Sequence, residues 1–137
     1  MNTSRSVLFV CLHGAAKSVL AAADFRRLAA ERGLDVVADS AGTEPDPEVA
    51  PGVVAALRAE GLDLSRKRPR RVTREDTAAA ARVVTFGCEL GEAMPSSIVV
   101  ERWDDVPAVS ENLPLARAAI RRRLDRLLDE YAAERAR

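Results

Sequence analysis

The chain has 137 residues, 47% of them hydrophobic and 31% charged, which suits one domain with its own core and a solvated surface. Lysine plus arginine and aspartate plus glutamate each number 21, so the formal net charge is zero, which argues against a protein that coats nucleic acid or an anionic membrane. Two cysteines, Cys11 and Cys88, and one histidine, His13, lack the number and spacing for a disulfide scaffold or a zinc site, so no metal and no cofactor are expected.

The apolar run Val7 to Leu12 is too short for a signal-peptide core or a membrane span, and a cytosolic location with reduced thiols is expected. Val7-Leu8-Phe9-Val10 is a continuous β-prone run, the pattern of a strand buried on both faces of a parallel sheet. From Ala15 to about Arg32 the residues Val19, Leu20, Ala23 and Leu28 recur at helical spacing, and Gly33 suits the helix end. Val36-Val37-Ala38 reads as a second strand stopped by Ser40-Ala41-Gly42, and Thr43 to Pro51 is a proline-rich loop. A helix over Gly52 to Glu60 follows, ended by Gly61. Ser65 to Arg71 is a basic loop, and Thr73 with Asp76 resembles a capping box opening a short alanine-rich helix. Arg82 to Phe86 and Ile98 to Val100 read as the third and fourth strands. The tail from about Leu113 to Arg137 is a long helix whose apolar stripe holds Ile120, Leu124, Leu127, Leu128 and Tyr131. Strands alternating with helices imply a single α/β domain over residues 1–137, a parallel sheet with helices on both faces.

The chemistry concentrates at Cys11-Leu12-His13-Gly14-Ala15-Ala16-Lys17-Ser18. A buried strand delivers Cys11 to its C-terminal end, where open α/β sheets bind ligands. The mostly small residues after it allow several amides to converge on one point, which the next helix also faces with its positive end. Such a nest holds a tetrahedral oxyanion and favours a thiolate. A buried structural cysteine in an ordinary strand-to-helix turn is the plainer alternative for the bare pattern.

The stretch resembles the signature loop of the low-molecular-weight protein tyrosine phosphatase superfamily, in which a strand is followed by Cys, five residues, Arg and Ser, and which includes arsenate reductases. The Val-Leu-Phe-Val-Cys-x-His opening is most similar to the arsenate-reductase branch. The likeness continues through Asp39 to Pro45, Gly61 to Ser65, Val83 to Cys88 and Trp103 to Ala108, nearly the whole chain. It implies a three-layer sandwich with a four-stranded parallel sheet flanked by helices. It also implies a metal-free reaction in which the Cys11 thiolate attacks phosphate, arsenate or a phosphorylated substrate. Residues 12 to 18 would supply the oxyanion cradle, Lys17 the charge clamp, and Ser18 a hydrogen bond to the sulfur as leaving group. An aspartate before the last helix would protonate the leaving group, and in the arsenate-reducing relatives a second thiol releases arsenite.

Three departures fall in this site. Lys17 stands where the family has arginine, exchanging a planar two-pronged donor for a point charge. Gly14 replaces an asparagine that braces the loop, while still accepting a left-handed conformation. If Pro107-Ala108 is matched to the family's Asp-Pro, Val106 takes the acid's place and Asp105 becomes the neighbouring candidate. Together they favour a rival expectation: a catalytically impaired relative that binds phosphate or a phosphoprotein. Cys88 aligns with a second redox cysteine, yet no third cysteine follows it, so reduction would need Cys88 alone or an external thiol reductant; a small buried residue at a strand end is its alternative. Arg66 to Arg71 has no interleaved aromatic residue for stacking bases, so it reads as a solvated loop and no nucleic-acid partner is expected. His13 reads as part of the loop rather than as a base, because the amides already favour the thiolate.

Overall fold

In the computed structural model, residues 6–135 are described. Four strands, β1 (Ser6–Cys11), β2 (Val37–Gly42), β3 (Arg82–Thr85) and β4 (Val100–Arg102), form one sheet in the order β2-β1-β3-β4, with every pairing parallel. The helices are α1 (Lys17–Glu31), α2 (Pro51–Arg58), α3 (Arg74–Ala79) and α4 (Leu113–Arg135), with a 3-10 turn over Gly91–Ala93. Among the described residues, no helix is long and apolar enough to cross a membrane.

Side chains alternate across β1, and both faces are buried as its continuous apolar run requires. Val7, Phe9 and Cys11 enter the larger core with Val19, Leu20 and Phe25 of α1, Val53 and Leu57 of α2, and Ile120, Leu124, Leu127 and Leu128 of α4. Leu8 and Val10 enter a smaller core with Val72, Val83, Cys88, Leu90 and Ala93. The result is the three-layer sandwich, with its thick layer on the Cys11 face. Under the site, Phe9 packs against Phe25, Phe86 and Trp103 with ring centroids 5.9, 6.3 and 5.9 Å away, a rigid floor for the end of β1.

The boundary differences that position the site each have a tertiary reason, while others, such as α2 at Pro51–Arg58 and β3 ending at Thr85, are shifts of one or two residues. β2 runs on through Ser40-Ala41-Gly42, because these residues pair with Phe9, Val10 and Cys11; small residues fit where the neighbouring layer comes close, and pairing overrides their low strand propensity. α1 begins at Lys17 rather than Ala15, since residues 12–16 are bound to a different segment, described below. β4 begins at Val100, leaving Val99 89% exposed, and this register delivers Trp103 to the core at 1% exposure, with its amide donating to Thr85 O at 2.8 Å. The Thr73–Asp76 capping box is present at α3.

Charge pairs bind the layers together. Asp24 of α1 is buried and accepts from Arg117 Nη2 at 2.7 Å and Nε at 2.9 Å, and Arg117 also donates to Glu60 Oε2 at 2.6 Å. Burial alone pushes the Asp24 carboxyl up, but the hydrogen bonds and charges of Arg117 and Arg121 outweigh it and hold the group below the ordinary range. The basic loop is less solvated than its composition suggests: Arg70 bridges Asp39 and Asp76 at 3.0 and 2.7 Å, and Arg71 donates to Thr43 O at 2.7 Å.

Candidate active site

β1 ends at Cys11, a residue 6% exposed. Its sulfur lies 3.1 Å from the hydroxyl of Ser18, which is buried in the first turn of α1. Between them, residues 12–16 form a loop whose carbonyls and amides are engaged differently. Its carbonyls face outward: Thr43 N donates to Cys11 O (3.2 Å), Glu44 N to Leu12 O (2.7 Å), Asp46 N to His13 O (3.0 Å) and Ala50 N to Ala15 O (2.9 Å). The segment between β2 and α2 thus acts as a clamp along the loop. Among the described residues, no acceptor meets the amides of residues 13–16, and α1 has no side-chain cap. Uncapped amides at a helix start are a ready anion site.

Gly14 turns the loop with φ +60°, and space matters as much as conformation. A Cβ on Gly14 would sit 2.8 Å from Gly42 N, and one on Gly42 would sit 2.6 Å from Gly14 N. Two backbones therefore touch here, and Gly42 at the end of β2 supports the loop from behind.

Above Cys11 opens a recess of about 640 Å³. His13 and Lys17 line its base; Asp46, Ala50 and Pro51 line one part of the wall, and Ala108, Val109, Glu111 and Leu113 another. Among the described residues Lys17 makes no ion pair, so its charge is free for a ligand. His13 Nδ1 lies 3.2 Å from Glu44 O and 3.3 Å from Asp46 Oδ1.

The structure therefore brings Cys11, Leu12, His13, Ala15, Ala16 and Lys17 to one recess, whose lining does not include Gly14 or the buried Ser18. Asp105 is not among its lining residues. It is held by Arg123 Nη2 at 2.5 Å in a separate recess beside α4, and that hydrogen bond lowers its carboxyl pKa. Asp104 accepts from Gly87 N at 3.0 Å and Arg102 Nε at 3.0 Å, and Val106 is buried in the larger core. Cys88 lies in the core behind the sheet, its thiol directed at Val10 O at 3.6 Å. Burial pushes that thiol's pKa up, and the neighbouring Cys11 adds to the effect, which keeps Cys88 protonated and a poor nucleophile. Sequence reading missed Asp46 and Glu111, the carboxylates that do reach the recess. Asp46 could have been found from its position: it lies on the loop leaving the strand beside the cysteine's strand. Glu111, in a loop without regular pattern, gave no signal.

A parallel sheet whose first strand ends in a cysteine beneath unengaged amides defines a cysteine-based oxyanion-loop protein. The chain belongs to the low molecular weight phosphotyrosine protein phosphatase family, whose model matches residues 6–121. It is 30% identical over 128 residues, 90% of each chain, to a Halobacterium salinarum protein provisionally named an arsenate reductase. The crystal structure of YfkJ from Bacillus subtilis, a low molecular weight protein-tyrosine-phosphatase, superposes with a TM-score of 0.79 at 27% identity, covering 94% of this chain and 95% of that one. A thioredoxin-dependent arsenate reductase of Corynebacterium glutamicum gives 0.73 at 26% identity, covering 94% of this chain and 62% of its own. Both kinds of relative share the four-stranded sheet and the expected fold.

Proposed function

We propose that the chain is a cysteine-dependent phosphate-monoester hydrolase. The observation that carries the reading is the sorted polarity of the loop after Cys11: carbonyls held by residues 43–50, amides 13–16 unengaged. Three phosphoryl oxygens would take those amides and the Lys17 ammonium, and negative charge developing on them is stabilised without reorganising the loop. The Cys11 thiolate attacks phosphorus and forms a covalent phospho-enzyme; water then attacks, and the Ser18 hydroxyl at 3.1 Å donates to the departing sulfur. Lys17 supplies charge without the two-pronged geometry of arginine, so turnover is expected but slow. The recess is far larger than an inorganic ion needs, and its alanine, proline, valine and leucine walls fit the organic part of an ester. The reaction needs a reduced Cys11, which fits the reducing cytosol.

Arsenate reduction is the second reading, favoured by the likeness to the Halobacterium protein over 90% of both chains. Cys11 would displace hydroxide from arsenate, and a second thiol would attack the sulfur, releasing arsenite and leaving a disulfide. With Cys88 buried behind the sheet, that thiol comes from an external reductant. The test is hydrolysis of p-nitrophenyl phosphate, with Cys11→Ser as control, beside arsenite release from arsenate in the presence of thiols. Turnover lost in the control supports the hydrolase. Arsenite release without ester hydrolysis replaces it with the second reading, and neither activity overturns both.

A further inference from the structure

We propose that the His13 imidazole, oriented by Asp46 and the Glu44 carbonyl, is the proton donor and acceptor of ester hydrolysis, in place of an aspartate from the loop before α4. The inference rests on the hydrolase reading above and names the group that reading leaves open.

The carboxylates of the Trp103-Asp104-Asp105 segment are committed elsewhere. Asp104 is tied to the Gly87 amide and Arg102, and Asp105 to Arg123 outside the recess. His13, in contrast, stands two residues from the nucleophile and lines the recess. A carbonyl oxygen only accepts, so the contact at 3.2 Å with Glu44 O places a proton on Nδ1. The Asp46 carboxylate, 3.3 Å from the same nitrogen, reinforces that tautomer. Nε2 is then the atom left to exchange protons, the arrangement in which an acidic partner orients a catalytic imidazole. The ring is also held at its backbone, because Asp46 N donates to His13 O at 3.0 Å. The charged and titratable groups around it are Asp46 on its clamp, Cys11 and Lys17 at the base of the recess, and Glu111 on the α4 side. Among the described residues Glu111 has no ion-pair partner, which makes it the competing proton donor.

In the first step the S–P bond forms as the ester P–O bond breaks, and the leaving oxygen takes the proton from Nε2 of the imidazolium. In the second step Nε2 takes a proton from the attacking water, a P–O bond forms, and the S–P bond breaks to regenerate the thiolate. The sum is water plus ester giving alcohol plus phosphate, with His13 restored as the imidazolium.

The experiment compares phenyl phosphate, whose leaving group needs a proton, with 2,4-dinitrophenyl phosphate, whose leaving group does not. His13→Ala should lose roughly 100-fold or more in kcat/KM, which reads phospho-enzyme formation alone, for phenyl phosphate and under roughly tenfold for the dinitrophenyl ester, while the shared water step slows kcat for both. Added imidazole should restore the phenyl activity in part, since the His13 side chain is 54% exposed and the vacated space is reachable. Asp46→Asn should show the same selectivity at smaller size. Equal losses in kcat/KM on both esters without imidazole rescue would reduce His13 to a loop-shaping residue and overturn the inference. So would the selective loss appearing in Glu111→Gln or Asp105→Asn instead. Wild-type protein inert toward both esters would overturn the hydrolase reading itself, whereas an active wild type with an indifferent His13 overturns the inference alone.

Discussion

Gly42→Ala tests the loop at the point where the structure leaves least room. The added Cβ would lie 2.6 Å from Gly14 N, 2.8 Å from His13 C and 2.9 Å from Gly14 Cα. All three are backbone atoms, so no side chain can swing aside. Reaching ordinary contact at 3.4 Å requires the loop to retreat by about 0.8 Å. A displacement near 1 Å in an oriented site costs about 100-fold in rate, whereas overpacking of this size costs about 1–3 kcal/mol of stability. The assay is kcat/KM on p-nitrophenyl phosphate, with alkylation of Cys11 and its protection by phosphate as a second readout, on protein shown to be folded by thermal unfolding. The expected result is a loss near 100-fold with weakened phosphate protection. Gly61→Ala serves as control: Gly61 has φ +92° and nothing within 4 Å of its added Cβ, so it should lose stability while its kcat/KM stays at wild type. A Gly42→Ala protein within about threefold of wild type would refute the argument that β2 holds the loop in its binding shape.

Ser18→Ala removes the donor 3.1 Å from the sulfur and should slow breakdown of the phospho-enzyme more than its formation. Burst kinetics would then show a full first turnover followed by a steady state reduced about tenfold or more. Lys17→Arg should raise kcat/KM by about tenfold through two-pronged contact with the phosphoryl oxygens; a fall would show that the recess is shaped around the ammonium. Acid unfolding should follow the Arg117 cluster. Arg117, with Arg27, lowers Glu60 from 4.5 to about 2, a depressed carboxylate whose contribution is present above the unfolded value and lost as pH falls. The urea midpoint should therefore drop between about pH 5 and about pH 2, with a shallower drop in Glu60→Gln.

Legibility in the sequence followed the physics that set each element. β1 was readable because a strand buried on both faces needs an unbroken apolar run, and α4 because its stripe recurs at helical spacing. The end of β2 was not, since Ser40, Ala41 and Gly42 owe their strand to pairing with Phe9, Val10 and Cys11. At the site, the span from Cys11 to Ser18 could be delimited because strand, small residues and helix start are contiguous. The clamp from Thr43 to Ala50 could not, because its contacts are backbone hydrogen bonds to a distant segment, which leave almost no trace in side-chain chemistry. The roles of Gly14 and Gly42 divide the same way: positive φ is suggested by glycine itself, but the mutual contact needs both segments in place. Asp105 illustrates a limit of proximity in sequence, for it lies near the Trp103 strand end yet turns toward Arg123.

The central claim is that Cys11 is the nucleophile of a phosphoryl transfer. Its most direct measurement is acid-quench of the enzyme during steady-state turnover of p-nitrophenyl phosphate, followed by peptide mass spectrometry. The account predicts one added phosphoryl group on the peptide carrying Cys11, enriched in Ser18→Ala and absent in Cys11→Ser. Steady turnover with no phosphoryl group on Cys11, or turnover that survives Cys11→Ser, would contradict it.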